Sequence, residues 1–156
     1  MSSNFYILTD RFYEEHKHLK EIMIKKSRPY FMYTLIIDDV EFAIPLRSHI
    51  EHENYFFTGN TPEGDICGID YSKAVIITDK ETYLEKTKVK IRPQEYKMIV
   101  GKEHLIKKAF LKYVKKYKKA YKIVSQEKGS KVEKDLCKYS TLQNYHNELG
   151  LSLIHI

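Results

Sequence analysis

At 156 residues, with 42% apolar and 13% aromatic residues, the chain is long enough to bury one core without disulfide or metal staples. No apolar run reaches the length of a membrane span. The opening Met-Ser-Ser-Asn-Phe-Tyr lacks the charged-then-apolar form of a signal peptide, so neither a membrane nor a secreted protein is expected. The net charge of +6 is unevenly spread: Lys97 to Lys138 holds fourteen lysines against Glu103, Glu127, Glu133 and Asp135. That segment carries +10 and leaves −4 for the rest. A basic part joined to a mildly acidic part fits a polyanion partner on one face; the plainer reading is a solvated lysine-rich helix face. Cys67 and Cys137 have no metal-ligand spacing and read as free thiols of a reducing cytoplasm, with a disulfide between them as the less favoured reading.

In chain order, Phe5 to Thr9 predicts a short strand, and Asp10 can cap a helix with Phe12, Leu19, Ile22 and Met23 on its apolar side. Arg28 before Pro29 ends that helix by Ser27. Tyr30 to Ile37 and Val40 to Leu46 predict an antiparallel hairpin about the turn Asp38-Asp39. Short strands follow over Asn54 to Phe57, Ile66 to Ile69 and Ala74 to Thr78, with a turn-rich loop over Thr58 to Asp65. Residues 79–92 are charged and ambiguous, and Arg92-Pro93 is a break.

From Pro93 the pattern turns helical. Leu105, Ala109, Tyr113, Tyr117, Ala120 and Val124 form an apolar stripe with lysines opposite, and a second helix spans about Val132 to Leu149 with Gly150 as its stop. The expectation is one α+β domain over residues 1–150: a mostly antiparallel sheet, helices packed on one side, and two C-terminal helices. Residues 151–156 continue no pattern and read as a docked tail or a non-native extension.

The informative stretch is Val40 to Phe57. A strand carrying Pro45 near its end delivers Arg47, Ser48 and His49 together, with His52 three residues on. Two histidines beside an Arg and a Ser, in a basic chain without a carboxylate cluster for Mg²⁺, fit phosphodiester cleavage without a metal. A ribose 2′-OH attacks phosphorus, one histidine serves as base or acid, and Arg47 stabilises the added charge. Ser48 orients a phosphate oxygen or the 2′-OH. Serine next to histidine does not by itself make a hydrolase, since there is no nucleophile elbow and no evident acid partner. Tyr113, Tyr117 and Tyr121 read either as core or as base-stacking groups.

Phe5-Tyr6, Arg28-Pro29-Tyr30, the strand Tyr33 to Ile37, Ala43-Ile-Pro-Leu-Arg-Ser-His49 and the Lys/Tyr-rich helix, in that order, cover most of the chain to about Leu149. In these motifs the sequence resembles the toxins of type III toxin–antitoxin systems, most closely the CptN group within the ToxN/AbiQ family. The resemblance implies a compact, strongly twisted antiparallel sheet similar to MazF and Kid toxins. It also implies a cytoplasmic, metal-independent endoribonuclease without cofactors, leaving 2′,3′-cyclic phosphate and 5′-hydroxyl ends. Its implied partners are cellular RNA and a pseudoknot RNA antitoxin, encoded as repeats that the toxin processes and that inhibits it in a closed protein–RNA assembly.

On that resemblance Ser48 takes the family's active-site position, and Arg28 and Tyr30 take the place of its cation and tyrosine before the hairpin. ToxN-like members have a Lys two residues beyond the serine; this chain has Ile50, leaving His49 or Arg47 for that role. Lys108, Lys112, Lys115, Lys116, Lys119 and Lys122 are the expected RNA-binding groove. A non-catalytic RNA-binding module and a MazF-like ribonuclease inhibited by a protein are the other readings that fit the sequence.

Overall fold

Asp38 and Asp39 both take positive φ, 50° and 66°, and close a two-residue turn between the paired Ile37 and Val40. Two successive left-handed residues are what a type I′ hairpin requires, and short acidic side chains tolerate them. In this computed structural model, which describes residues 5–23, 30–86 and 91–151, the hairpin is the centre of a seven-stranded sheet. Its arms are β2 (Met32–Ile37) and β3 (Val40–Arg47), and β1 is Phe5–Leu8. The remaining strands are β4 (Tyr55–Asn60), β5 (Ile66–Asp70), β6 (Val75–Ile77) and β7 (Leu84–Lys86). The order is β4-β5-β3-β2-β1-β7 with β6 also on β3, and every pairing is antiparallel.

Strand β3 changes partner along one edge. Glu41 to Ala43 pair with β6, and Leu46 and Arg47 pair with β5. The Leu46 N–H points to the opposite edge, where it donates to the Phe31 carbonyl at 2.8 Å. Adjacent N–H groups of a strand alternate in direction, so the missing N–H of Pro45 falls at the gap between β6 and β5, where no ladder bond is lost. This is how a proline sits inside a central strand and still lets Arg47 emerge at its end.

Helix α1 (Asp10–His16) is capped by Thr9, whose side chain accepts the Phe12 N–H, rather than by Asp10. It ends well before Ser27. The His16 ring bonds the Phe12 carbonyl (2.8 Å) and stacks on the Phe12 ring, and Leu19 N–H closes a tighter turn onto the His16 carbonyl. Residues 79–86 resolve into a short turn of helix, α2 (Lys80–Tyr83), capped by Asp79, and then β7. Pro93 opens α3 (Pro93–Ile99), and Gly101, at φ 78°, separates it from the 23-residue α4 (Glu103–Ser125).

Alternate residues of β2 and β3 face opposite sides of the sheet. Phe42 meets Phe110 of α4 at 5.0 Å between ring centroids, whereas Met32, on the other face, lines a small cavity with Phe12 of α1 and Val75. Helices therefore flank both faces, not one as expected, because α1 carries its own large apolar side chain to the second face. The apolar stripe of α4 is Ile106, Phe110, Tyr113, Val114, Tyr117 and Ala120; Leu105 is 45% exposed. The stripe keeps the anticipated period but starts one residue later in its first turns.

Helix α5 (Lys131–Tyr139) begins in a capping box between Ser130 and Glu133. It stops at Ser140 instead of running to Leu149. The buried Ser140 hydroxyl accepts the Leu142 N–H (3.1 Å) and bonds the Tyr113 hydroxyl (2.6 Å), turning the chain into a 3₁₀ segment over Thr141–Asn144. Gly150 takes φ 74° where the left-handed stop was expected. Leu151 is 2% exposed and belongs to the core, so the tail is docked at its first residue; residues 152–156 lie outside the described set. Among the described residues no helix is long and apolar enough to cross a membrane.

Candidate active site

Asp70 closes β5 and caps the 3₁₀ turn Tyr71–Lys73. Its side chain has no solvent exposure, yet it accepts four hydrogen bonds. Oδ1 takes the Ser72 hydroxyl (2.6 Å), the Ser72 N–H (3.0 Å) and Nε2 of His52 (3.0 Å); Oδ2 takes Nη1 of Arg47 (2.6 Å). Three of the four bonds crowd on Oδ1 and one falls on Oδ2, so the carboxylate is well supplied with donors. Burial raises the Asp70 pKa, but the bonds from His52, Ser72 and Arg47 outweigh it and hold the group below its ordinary value. It is a carboxylate partner that the sequence did not reveal, and it joins two of the four expected loop residues, Arg47 and His52.

The two loop histidines are held in different ways. Nδ1 of His52 accepts the Asn54 backbone N–H at 3.0 Å, which leaves the ring proton on Nε2, directed at Asp70 with the Ser72 oxygen at 3.3 Å. Both nitrogens are engaged, so His52 fixes the loop to the hub. His49 is 63% exposed along its side chain, and its Nδ1 lies 2.9 Å from Oδ2 of Asp65. With Nδ1–H donating to the carboxylate, the neutral ring has its free lone pair on Nε2. His49 also takes φ 60°, a left-handed conformation uncommon for a residue with a side chain.

Ser48 is half-buried and makes no side-chain hydrogen bond among the described residues. Ile50 is buried, and its N–H bonds the Ile66 carbonyl (3.2 Å), so the position where ToxN-like sequences carry Lys is an anchor of the loop in this chain. A lysine reaches the loop from elsewhere: Nζ of Lys116 on α4 lies 2.9 Å from Glu53 and 3.1 Å from the Asn54 side-chain oxygen. Tyr71 braces the same junction, its N–H on the Asn54 carbonyl (3.0 Å) and its hydroxyl on the Ile106 carbonyl (3.1 Å).

Lys108, Lys112, Lys115, Lys119 and Lys122 are exposed and fall on one stripe of α4 by helical spacing, with Lys116 displaced toward the loop. Tyr113 and Tyr117 are buried core residues and offer no face to a base; Tyr121 is half-buried against the His146 ring. Tyr30 is half-buried and lines the small cavity beside Phe12 and Tyr13. Arg28 lies outside the described residues. Among the described residues no group of three or more His, Cys, Asp or Glu is placed to hold a metal ion.

The sequence reading missed Asp70, Ser72, Asp65 and Lys116's place at the loop. Asp70 had one signal, a carboxylate directly following the apolar strand residues Ile66 to Ile69. Comparison with known proteins finds no matching family model, no matching curated protein and no matching solved structure.

Proposed function

We propose that this chain is an endoribonuclease of the type III toxin kind, cleaving RNA by transesterification without a metal. The observation that carries the reading is the Asp70 hub, one buried carboxylate fixing Arg47 and His52 beside the half-buried Ser48 and the exposed His49. In the proposed reaction Nε2 of His49 takes the proton of a ribose 2′-OH, and Ser48 orients that hydroxyl. The 2′ oxygen bonds phosphorus while the Arg47 guanidinium balances the charge that builds there. The bond to the 5′ oxygen breaks, and that oxygen takes a proton from water, leaving a 2′,3′-cyclic phosphate and a 5′-hydroxyl. His52 and Asp70 act through the groups they position.

The lysine stripe of α4 would hold the RNA backbone, and Lys116 links that stripe to the loop. On the resemblance, the inhibiting partner is a repeat-derived pseudoknot RNA whose processed end stays at the loop as a competitive plug in a closed assembly. Incubating the purified protein with mixed RNA in EDTA and characterising the fragment ends tests the reading. Cyclic phosphate and 5′-hydroxyl ends are expected. Intact RNA that still co-migrates with the protein would replace the ribonuclease by a binding module.

A further inference from the structure

The strand register places a second set of residues beside the hub. Phe57 of β4 pairs with Gly68 of β5, and Gly68 pairs with Arg47 of β3, so the three form a row across the sheet on one face. Tyr55 pairs with Asp70 in the neighbouring row of the same face. Phe56, between them, faces the other way and packs on the core. At about 4.8 Å per strand, Phe57 and Arg47 stand about 10 Å apart across the glycine.

Gly68 is required in the middle of this row. A Cβ there would lie 2.8 Å from Cδ2 of Tyr55 and 2.6 Å from the Phe56 carbonyl oxygen. The Tyr55 ring thus occupies the space a side chain would take, and it lies nearly perpendicular to the His52 ring at 6.3 Å between centroids. Phe57 is 42% exposed, one of few large apolar side chains left open to solvent. Aromatic rings at one end of a row and a guanidinium at the other match the two halves of a nucleotide, base and phosphate.

We infer that Tyr55 and Phe57 form a stacking platform for a base of single-stranded RNA next to the phosphate held by Arg47. The inference rests on the RNA-cleaving reading and adds a binding surface that the motifs did not indicate, since the tyrosines of α4 that could have stacked are core. Charge complementarity selects the occupant: the Arg47 guanidinium, bonded to Asp70 through Nη1, stands on this face, and Lys116 at the Glu53–Asn54 corner leads from it to the exposed lysine stripe of α4. Stacking tolerates any base, so the platform positions the strand and leaves base preference to other contacts.

The test uses a labelled random 12-mer RNA with every 2′-OH methylated, which cannot be cleaved, and a second strand carrying 2-aminopurine. Wild type should bind and quench 2-aminopurine. Phe57→Ala should bind about tenfold more weakly with an unchanged salt slope, and Phe57→Trp should restore affinity and quenching. Equal affinity and quenching in wild type and Phe57→Ala, or no binding by wild type, would overturn the platform. Melting temperatures of the variants verify that an exposed site was changed without unfolding. Cleavage of unmodified RNA by wild type, measured in parallel, separates the two ideas. Phe57-dependent binding without cleavage sinks only the nuclease, and cleavage with Phe57-independent binding sinks only the platform.

Discussion

Oδ2 of Asp70 accepts a hydrogen bond from Nη1 of Arg47 at 2.6 Å, and the carboxylate has no solvent contact of its own. The donors around it are all fixed, so Asp70→Asn cannot be absorbed by turning the amide: whichever way it lies, an NH₂ faces Arg47 or the His52–Ser72 pair. Breaking one partner of such a buried network costs about 3 kcal/mol. Urea denaturation should register a loss of that order. Cleavage should fall with it, because Arg47 and the loop lose their anchor. Full cleavage in a folded Asp70→Asn protein would remove the hub from the site.

The same carboxylate sets an acid limit. Its pKa in the fold lies below the ordinary 3.8, so the unfolded chain takes up this proton first as pH falls. The stabilisation is complete above the ordinary value and is lost as pH drops through the folded one. Melting curves from about pH 5 to 2 should therefore show an acid-dependent loss that is smaller in Asp70→Asn.

His49 combines a left-handed backbone with an exposed side chain, a costly conformation kept at the head of the loop. Replacing it by Gly relieves about 1 kcal/mol of strain and gives up only an exposed contact with Asp65. His49→Gly should melt at or above the wild-type temperature, His49→Ala below His49→Gly, and neither should cleave RNA. Retained cleavage in His49→Gly would remove it from the proton-transfer role.

What could be read from the sequence divides along physical lines. The hairpin was legible because Asp38-Asp39 sits between two β-branched, aromatic runs, and the lysine face of α4 because helical period is a local property. The phase of the apolar stripe was not: Leu105 and Ile106 are both apolar, and only the sheet decides which one is buried. The ends of α1 and α5 escaped notice because side chains of His16 and Ser140 terminate them through contacts no propensity encodes. Arg47 and His52 stood out as a cluster, but their partner Asp70 comes from another strand, and its meaning depends on β5 pairing with β3 at Leu46 and Arg47. Long-range pairing is where local pattern carries no signal.

His146 offers a second pH probe away from the loop. Its Nε2 lies 2.7 Å from the Tyr117 hydroxyl and its ring 4.1 Å from that of Tyr121. Burial lowers its pKa below the ordinary 6.5. The unfolded chain is then protonated first on acidification, so stability from this group is full above 6.5 and declines as pH falls below it. His146→Phe keeps an aromatic ring there and removes the titration. Its melting temperature should change less than that of wild type between about pH 7.5 and 5. An identical change in both proteins would remove His146 as the source.

The lysine stripe gives the most direct check on the proposed RNA path. Lys108, Lys112, Lys115, Lys119 and Lys122 project together from α4, while Lys116 is tied to Glu53 and Asn54 at the loop. Each lysine that neutralises a phosphate of a single strand contributes about 0.7 to the magnitude of the slope of log affinity against log salt. Replacing the five stripe lysines by Gln should flatten that slope in steps of this size and weaken binding of every RNA sequence alike. The side chains are solvent-exposed and make no contribution to the core, so the melting temperature should hold. Lys116→Gln should behave differently, because it also frees the Glu53–Asn54 corner. A smaller effect on the salt slope and a larger one on cleavage rate are expected. Should the five-lysine variant keep the wild-type slope, the RNA path lies on another face of the protein.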